Sequence, residues 1–226
     1  MIKPKVLVLV LHSEAEPWRT IGEVQLATWM ASCATAGVEA LHYVGNAPEM
    51  LLDGSTLRLD APDNVLSHTG PKTQRALQWA LENREFDFVF RTNTSSYVDP
   101  RLLVEFLSKR PRTRHYGGSH NPTAGGFAVG CGMSLSRDVC SLLAKSPCRL
   151  AHGVDDVAIA RCLRRSGIVH EHQPRTDLLC EADMVAWRAA GQPLSHHYRC
   201  KPLDESLRPG WERSVMLELH AARQQP

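Results

Sequence analysis

The chain has 226 residues, 43% of them hydrophobic, which is enough for one sizeable core or for a core with a small C-terminal extension. Its 26 basic and 24 acidic residues give a formal charge of +2 and are spread along the sequence. With no basic arm or acidic tail, nucleic acid is not an expected partner. No apolar run approaches the roughly 20 residues that span a bilayer, and the start Met-Ile-Lys-Pro-Lys runs into a strand without a cleavage site. A cytoplasmic protein with no membrane-spanning segment is expected. The seven cysteines, Cys33, Cys131, Cys140, Cys148, Cys162, Cys180 and Cys200, are scattered and include no CxxC pair. Reduced thiols fit that spacing better than disulfides or structural zinc, whose sites usually draw two ligands from one short loop.

Lys5-Val-Leu-Val-Leu-Val-Leu11 reads as a strand covered on both faces. From 18 to 36, Ile21, Val24, Leu26, Ala27, Met30 and Ala34 recur at helical spacing, with Gly37 as the stop. A second strand over 38–44 completes the start of a right-handed βαβ unit. Residues 45–69, rich in Asp, Asn, Pro and Ser, predict a loop with one short strand near 56–59. Gly70-Pro71 opens a helix to residue 84, with Ala76, Leu77, Ala80 and Leu81 inward. A strand follows over 86–91, and Asp99-Pro100 caps a helix whose buried stripe is Leu102, Leu103, Phe106 and Leu107.

Between 117 and 132 stand six glycines, at 117, 118, 125, 126, 130 and 132. That is too many for an ordinary strand or helix, and predicts tight turns or backbone approached by a ligand. Ser134-Leu-Ser-Arg-Asp138 ends a strand and caps a helix through Leu142 and Leu143. Asp155-Asp156 opens another, with Val157, Ile159, Ala160 and Leu163 inside and Gly167 beyond. After Ile168 the pattern weakens until an amphipathic helix over 211–222.

Several segments together resemble the Fringe and beta-1,3-galactosyltransferase group of GT-A glycosyltransferases. They are Gln25-Leu-Ala-Thr-Trp29, Lys72-Thr73, Phe86-Asp-Phe-Val-Phe-Arg-Thr92, Gly130-Cys-Gly-Met-Ser-Leu-Ser-Arg-Asp138 and Val154-Asp-Asp-Val-Ala-Ile-Ala160, in the family's order from about 5 to 169. The resemblance implies a single α/β domain with a mixed, mostly parallel sheet flanked by helices. Residues 1–112 would form the nucleotide-sugar half, and 113–226 the acceptor half and C-terminal extension. The implied reaction is inverting transfer of a sugar from a nucleoside diphosphate sugar, with UDP the expected nucleotide, to the hydroxyl of a glycan or glycolipid, in surface polysaccharide or glycan synthesis. Asp156 matches the catalytic base, since a neutral hydroxyl needs a carboxylate within reach to take its proton; Asp155 would orient the base or bind acceptor. Taken as bare residues, the two acids equally read as caps of a helix N-terminus.

The sequence departs from the family at Thr92-Asn-Thr-Ser-Ser96, where an Asp-x-Asp or triple-aspartate turn usually holds manganese. Neutral oxygens hold Mn2+ or Mg2+ weakly or not at all. Other positive charge would then meet the diphosphate, and His196-His-Tyr-Arg-Cys-Lys201 offers it. His197 matches a family histidine at the metal or diphosphate, and Arg199 and Lys201, two apart, would point the same way on an extended segment. Arg208 and Arg213 are further candidates. As bare residues, the segment equally reads as a solvated basic stretch. Ligands of open α/β sheets bind outside the carboxyl ends of the strands. That nominates Leu11, His12 and Ser13 after the first strand, Arg91, Asn93, Thr94 and Ser95 after the 86–91 strand, and Lys72 near the nucleotide. Gly130 and Gly132 would approach the donor sugar and His120 and Asn121 the acceptor. Trp187, Tyr198 and Trp211 offer faces for stacking on sugars, with buried hydrophobic contact the commoner use of such residues. A non-catalytic nucleotide- or carbohydrate-binding module is the alternative. A sugar nucleotidyltransferase fits less well, because His12-Ser-Glu-Ala-Glu-Pro17 lacks a Gly-rich basic phosphate loop.

Overall fold

The computed structural model describes residues 3–63, 69–121, 126–146 and 154–224. Its centre is β1 (Val6–Leu11), flanked in parallel by β2 (Val38–Val44) and β5 (Phe88–Asn93). Beyond β2 lie β4 (Thr56–Arg58), parallel to it, and β3 (Leu51–Asp53), antiparallel to β4. On the other side β8 (Phe127–Ser136) pairs antiparallel with both β5 and β7 (Tyr116–Asn121), and β9 (Glu171–His172) closes the edge. The result is a mixed eight-stranded sheet of order β3-β4-β2-β1-β5-β8-β7-β9.

Alternation along the buried strands feeds two cores. Leu7 and Leu9 join Leu41, Val89, Leu135, Leu77, Leu143 and Leu163 on the face covered by α2 (Thr69–Asn83), α4 (Arg137–Lys145) and α5 (Asp155–Arg165). Val6, Val8 and Val10 join Ile21, Phe88, Phe90, Leu103, Trp187 and Leu219 on the opposite face. That face is covered by α1 (Trp18–Ala27), α3 (Pro100–Ser108), α6 (Glu181–Ala189) and α7 (Gly210–Gln224). The expected cap of α3 is present: Asp99 accepts from the N–H groups of Arg101 and Leu102. No described helix is long and apolar enough to cross a membrane.

Three expectations change. The helix expected over 18–36 stops at Ala27, where Thr28 turns its hydroxyl back onto the Val24 carbonyl (2.7 Å) and short 3-10 turns carry the chain on. The glycine-rich stretch is not a turn cluster: apart from 122–125, which lie outside the described residues, it forms β7 and β8. Three of its glycines stand where buried side chains cross the sheet. A Cβ on Gly117 would overlap the Gln173 amide, one on Gly132 the His197 ring, and one on Gly130 would lie 2.7 Å from the Arg91 guanidinium. Finally, the weakly patterned region beyond Ile168 is ordered by a second, three-stranded sheet. In it β11 (His197–Arg199) runs antiparallel to β6 (Ser96–Val98) and parallel to β10 (Thr176–Asp177). Strands of two or three residues carry too little periodicity to be read from sequence.

Candidate functional site

The β6–β11 pairing has a functional consequence, because Arg199 sits opposite Ser96, directly after the turn that ends β5. The late basic segment is thereby carried to the carboxyl end of the central strands. There a cavity of about 480 Å³ opens. Leu11, His12 and Ser13 from β1 line one side, and Asn93, Thr94 and Ser95 from the β5 turn line another. Thr69 and Lys72 come from the first turn of α2, while Arg199, Lys201, Glu205 and Arg208 close it from the C-terminal segment. Ten of the residues nominated from the sequence thus meet in one cavity.

The turn is held from behind. Gln25, fully buried on α1, donates to the carbonyls of Asn93 (3.2 Å) and Ser96 (2.8 Å) and accepts from His42 (3.0 Å). Asn93 in turn accepts the Ser95 N–H at 3.1 Å, a side-chain-closed turn. Lys72 is buried, donates to the His12 carbonyl at 2.7 Å and pairs with Asp63; burial pulls its pKa down, and Asp63 opposes that. Asp63, which no sequence signal marked within its polar loop, also accepts from Ser13 (3.0 Å). The His12 ring stacks on His42 with centroids 4.5 Å apart, and burial, helped by Lys72, depresses its pKa to about 4, so it is neutral.

Cations face the turn. Arg208 donates to the Ser95 hydroxyl at 3.1 Å and to buried Glu212 at 2.8 Å. Lys201 pairs with Glu205 at 2.5 Å. His197 does not join them. Its ring is buried beside Gly132 and edge-on to Phe90, with Nε2 3.2 Å from the Ser96 hydroxyl, and burial holds its pKa well below the usual range. A neutral, sealed imidazole makes no phosphate contact. Arg213 is exposed and outside the cavity lining.

Arg91, Gly130 and Gly132, like Asp155 and Asp156, also lie outside the lining, and Arg91 and Asp155 form a buried layer of their own. Arg91 is 2% exposed and pairs with Asp155, equally buried, at 2.5 Å. Asp155 accepts from the Thr73 hydroxyl at 2.9 Å, and its backbone N–H donates to Thr69 at 3.1 Å. The Lys72-Thr73 pair therefore spans both layers, with lysine at the cavity and threonine at the acid. Asp156, half-buried, accepts from the N–H groups of Gly130 (2.9 Å) and Val157 (2.7 Å). Burial raises its pKa; the Gly130 bond and the Arg91 charge act against that, while Asp155 adds to it. Of the acceptor candidates, His120 is exposed at the end of β7 and stacks on His170, and Asn121 follows it. Trp187 and Tyr198 are core residues, and Trp211 is half-buried with its indole N–H on the Leu178 carbonyl (3.2 Å), so these aromatics pack the fold.

The donor set does not fit a tightly held divalent cation. The turn supplies amide and hydroxyl oxygens only, Asp155 is engaged by Arg91 and Thr73, and the described residues include no group of three or more His, Cys, Asp or Glu arranged for a metal.

No protein-family model and no curated protein matches the sequence. Solved structures do. A glycosyltransferase involved in glycosylation of the major capsid of PBCV-1 aligns with 95% of this chain and 100% of its own, at 10% identity and a TM-score of 0.55. The galactosyltransferase LgtC, solved with donor and acceptor sugar analogs, aligns over 98% and 97% at 11% identity and a TM-score of 0.52. The glycosyltransferase GlyE of Streptococcus pneumoniae TIGR4 aligns over 97% of this chain and 60% of its own, at 11% identity and a TM-score of 0.50. With its mixed eight-stranded sheet and helices on both faces, the chain has the GT-A fold of these glycosyltransferases.

Proposed function

We propose that this protein is a glycosyltransferase that moves a sugar from a UDP-linked donor to a hydroxyl of a glycan or glycolipid, with inversion, in surface-glycan synthesis. The observation that carries the reading is the cavity at the strand ends, in which Lys72, Arg199, Lys201 and Arg208 surround a turn of neutral oxygens. Phosphate oxygens are the natural partners of such convergent cations. His12, Ser13 and Leu11 would border the nucleoside, while Arg199, Lys201 and Arg208 would meet the diphosphate. The Fringe-like subgroup remains part of this proposal, resting on the segments that resemble it.

Asp156 is the proposed base. Its carboxylate takes the acceptor hydroxyl's proton as the new bond forms at the anomeric carbon and the bond to the diphosphate breaks. The cations stabilise the negative charge that develops on the leaving group. A raised pKa suits a base working near neutrality, and Asp156 has one. The side chains at the turn, amides and hydroxyls, do not fit a metal.

Calorimetric titration with UDP, GDP and their common sugar conjugates, each with manganese and with chelator, tests the reading. Binding of UDP that survives chelator supports a cationic diphosphate site; absence of binding by every nucleotide overturns it. Asp156→Asn should lower turnover by about a hundred- to ten-thousand-fold with UDP binding unchanged, and a near-normal rate removes the base assignment.

A further inference from the structure

Arg91, on a central strand of the sheet, is buried, and its three nitrogens are all engaged. On β5 it stands in register with Leu9 of β1 and Met133 of β8, among strands that are otherwise apolar there. Nε donates to the Tyr43 hydroxyl at 3.2 Å, one terminal nitrogen donates to the Gly130 carbonyl, and the other pairs with Asp155 at 2.5 Å. Tyr43 and Thr73 are 2.9 Å apart, and because Thr73 donates to Asp155, it accepts from Tyr43. The polar groups therefore form a closed ring, Arg91 to Tyr43 to Thr73 to Asp155 and back to Arg91.

Fold stability does not account for this ring. Apolar residues of similar volume usually replace a buried ion pair at no loss, and the surrounding sheet is built from such residues. What the ring adds is a grip on both sides of Asp156. On one side Asp155, its sequence neighbour in the first turn of α5, is fixed by Arg91 and Thr73. On the other, Gly130 is fixed by its carbonyl to Arg91 and passes its own N–H to Asp156 Oδ2 at 2.9 Å. Gly130 has no room for a side chain between the two: a Cβ would lie 2.7 Å from Arg91 and 3.4 Å from Asp156.

We propose that Arg91 is a positioning residue for Asp156, setting the direction of its carboxylate through Gly130 and Asp155. The proposal rests on the reading of Asp156 as the base, and the tests separate the two. In Arg91→Lys a single ammonium keeps the charge but cannot reach Tyr43, Gly130 and Asp155 together. UDP affinity should stay within about twofold, while hydrolysis of UDP-glucose, UDP-galactose or UDP-N-acetylglucosamine falls about a hundredfold, the scale of a misplaced reacting group. The Asp156 carboxyl, followed by 13C NMR on aspartate-labelled protein and assigned with Asp156→Asn, should titrate at higher pH than in the parent. A merely structural arginine would lower the folded fraction and leave that titration where it was. An unmoved titration with turnover within about twofold of the parent overturns the proposal.

Should Arg91→Lys fail to fold, Tyr43→Phe and Gly130→Ala carry the test, one removing the Nε partner and the other wedging Arg91 from Asp156. Both should shift the titration upward, and no shift in either overturns the proposal. Near-normal turnover in Asp156→Asn would remove the base reading by itself. Lost turnover there with normal turnover in folded Arg91→Lys would remove the positioning role alone. The carboxyl titration needs no substrate, so a donor outside the three sugars leaves it decisive.

Discussion

Asp155 and Asp156 are neighbours in the chain with opposite surroundings. Asp155 is sealed against Arg91, whereas Asp156 is half-buried and held mainly by backbone N–H groups. Asp155→Asn should leave the guanidinium buried without its counter-charge and cost about 3–5 kcal/mol, read as a lowered urea midpoint. The resemblance gave Asp156 the part of base and Asp155 a supporting part, but it could not show their burial, because which of two adjacent helix residues faces the sheet is decided by how α5 docks. Histidines make the clearest pH statement. Burial depresses His12 and His196 to about 4 and His42 to about 3, below the usual 6.5. The unfolded chain therefore takes up protons between pH 6.5 and about 4 that the native state refuses, so their contribution to stability is complete above 6.5 and is lost as pH falls through that window. Urea unfolding should weaken there by up to about 1.4 kcal/mol per pH unit for each histidine, and their imidazole NMR signals should not titrate above pH 5.

Elements were legible in proportion to their length and periodicity. β1, β2, β5, α2, α3, α5 and α7 announce themselves through apolar runs, helical spacing or caps. The end of β8 was read at 134–136, but β7 and the rest of β8 were hidden because their glycines look like turns, and their need for glycine comes from partners far away in sequence. Gly132 illustrates the point: it is glycine because His197 occupies the space a side chain would take. Gly132→Ala should destabilise by roughly 1–3 kcal/mol through overpacking, and His197→Ala should relieve much of that. A double-mutant cycle in urea would register strong non-additivity, and additive effects would contradict the contact. The pairing of the two short strands β6 and β11 brings the basic segment to the β5 turn.

At the scale of the molecule, a formal charge of only +2 conceals a local concentration of cations at the cavity. UDP affinity should accordingly weaken several-fold between about 50 and 300 mM salt, as screening shortens from above 10 Å to below it, a change calorimetry at two salt concentrations would register. Apolar β1 and β5 and the helix signals were enough by themselves to determine an α/β sheet and its parallel centre. Those features follow from local hydrophobic pattern and chain order. Tertiary structure alone decided that His197 is sealed while Arg208 reaches Ser95, that Arg91 is buried, and that Asp155 is sealed against it while Asp156 is half-buried. Each of these depends on packing between residues many tens of positions apart, and a sequence pattern does not encode which side of such a contact is buried.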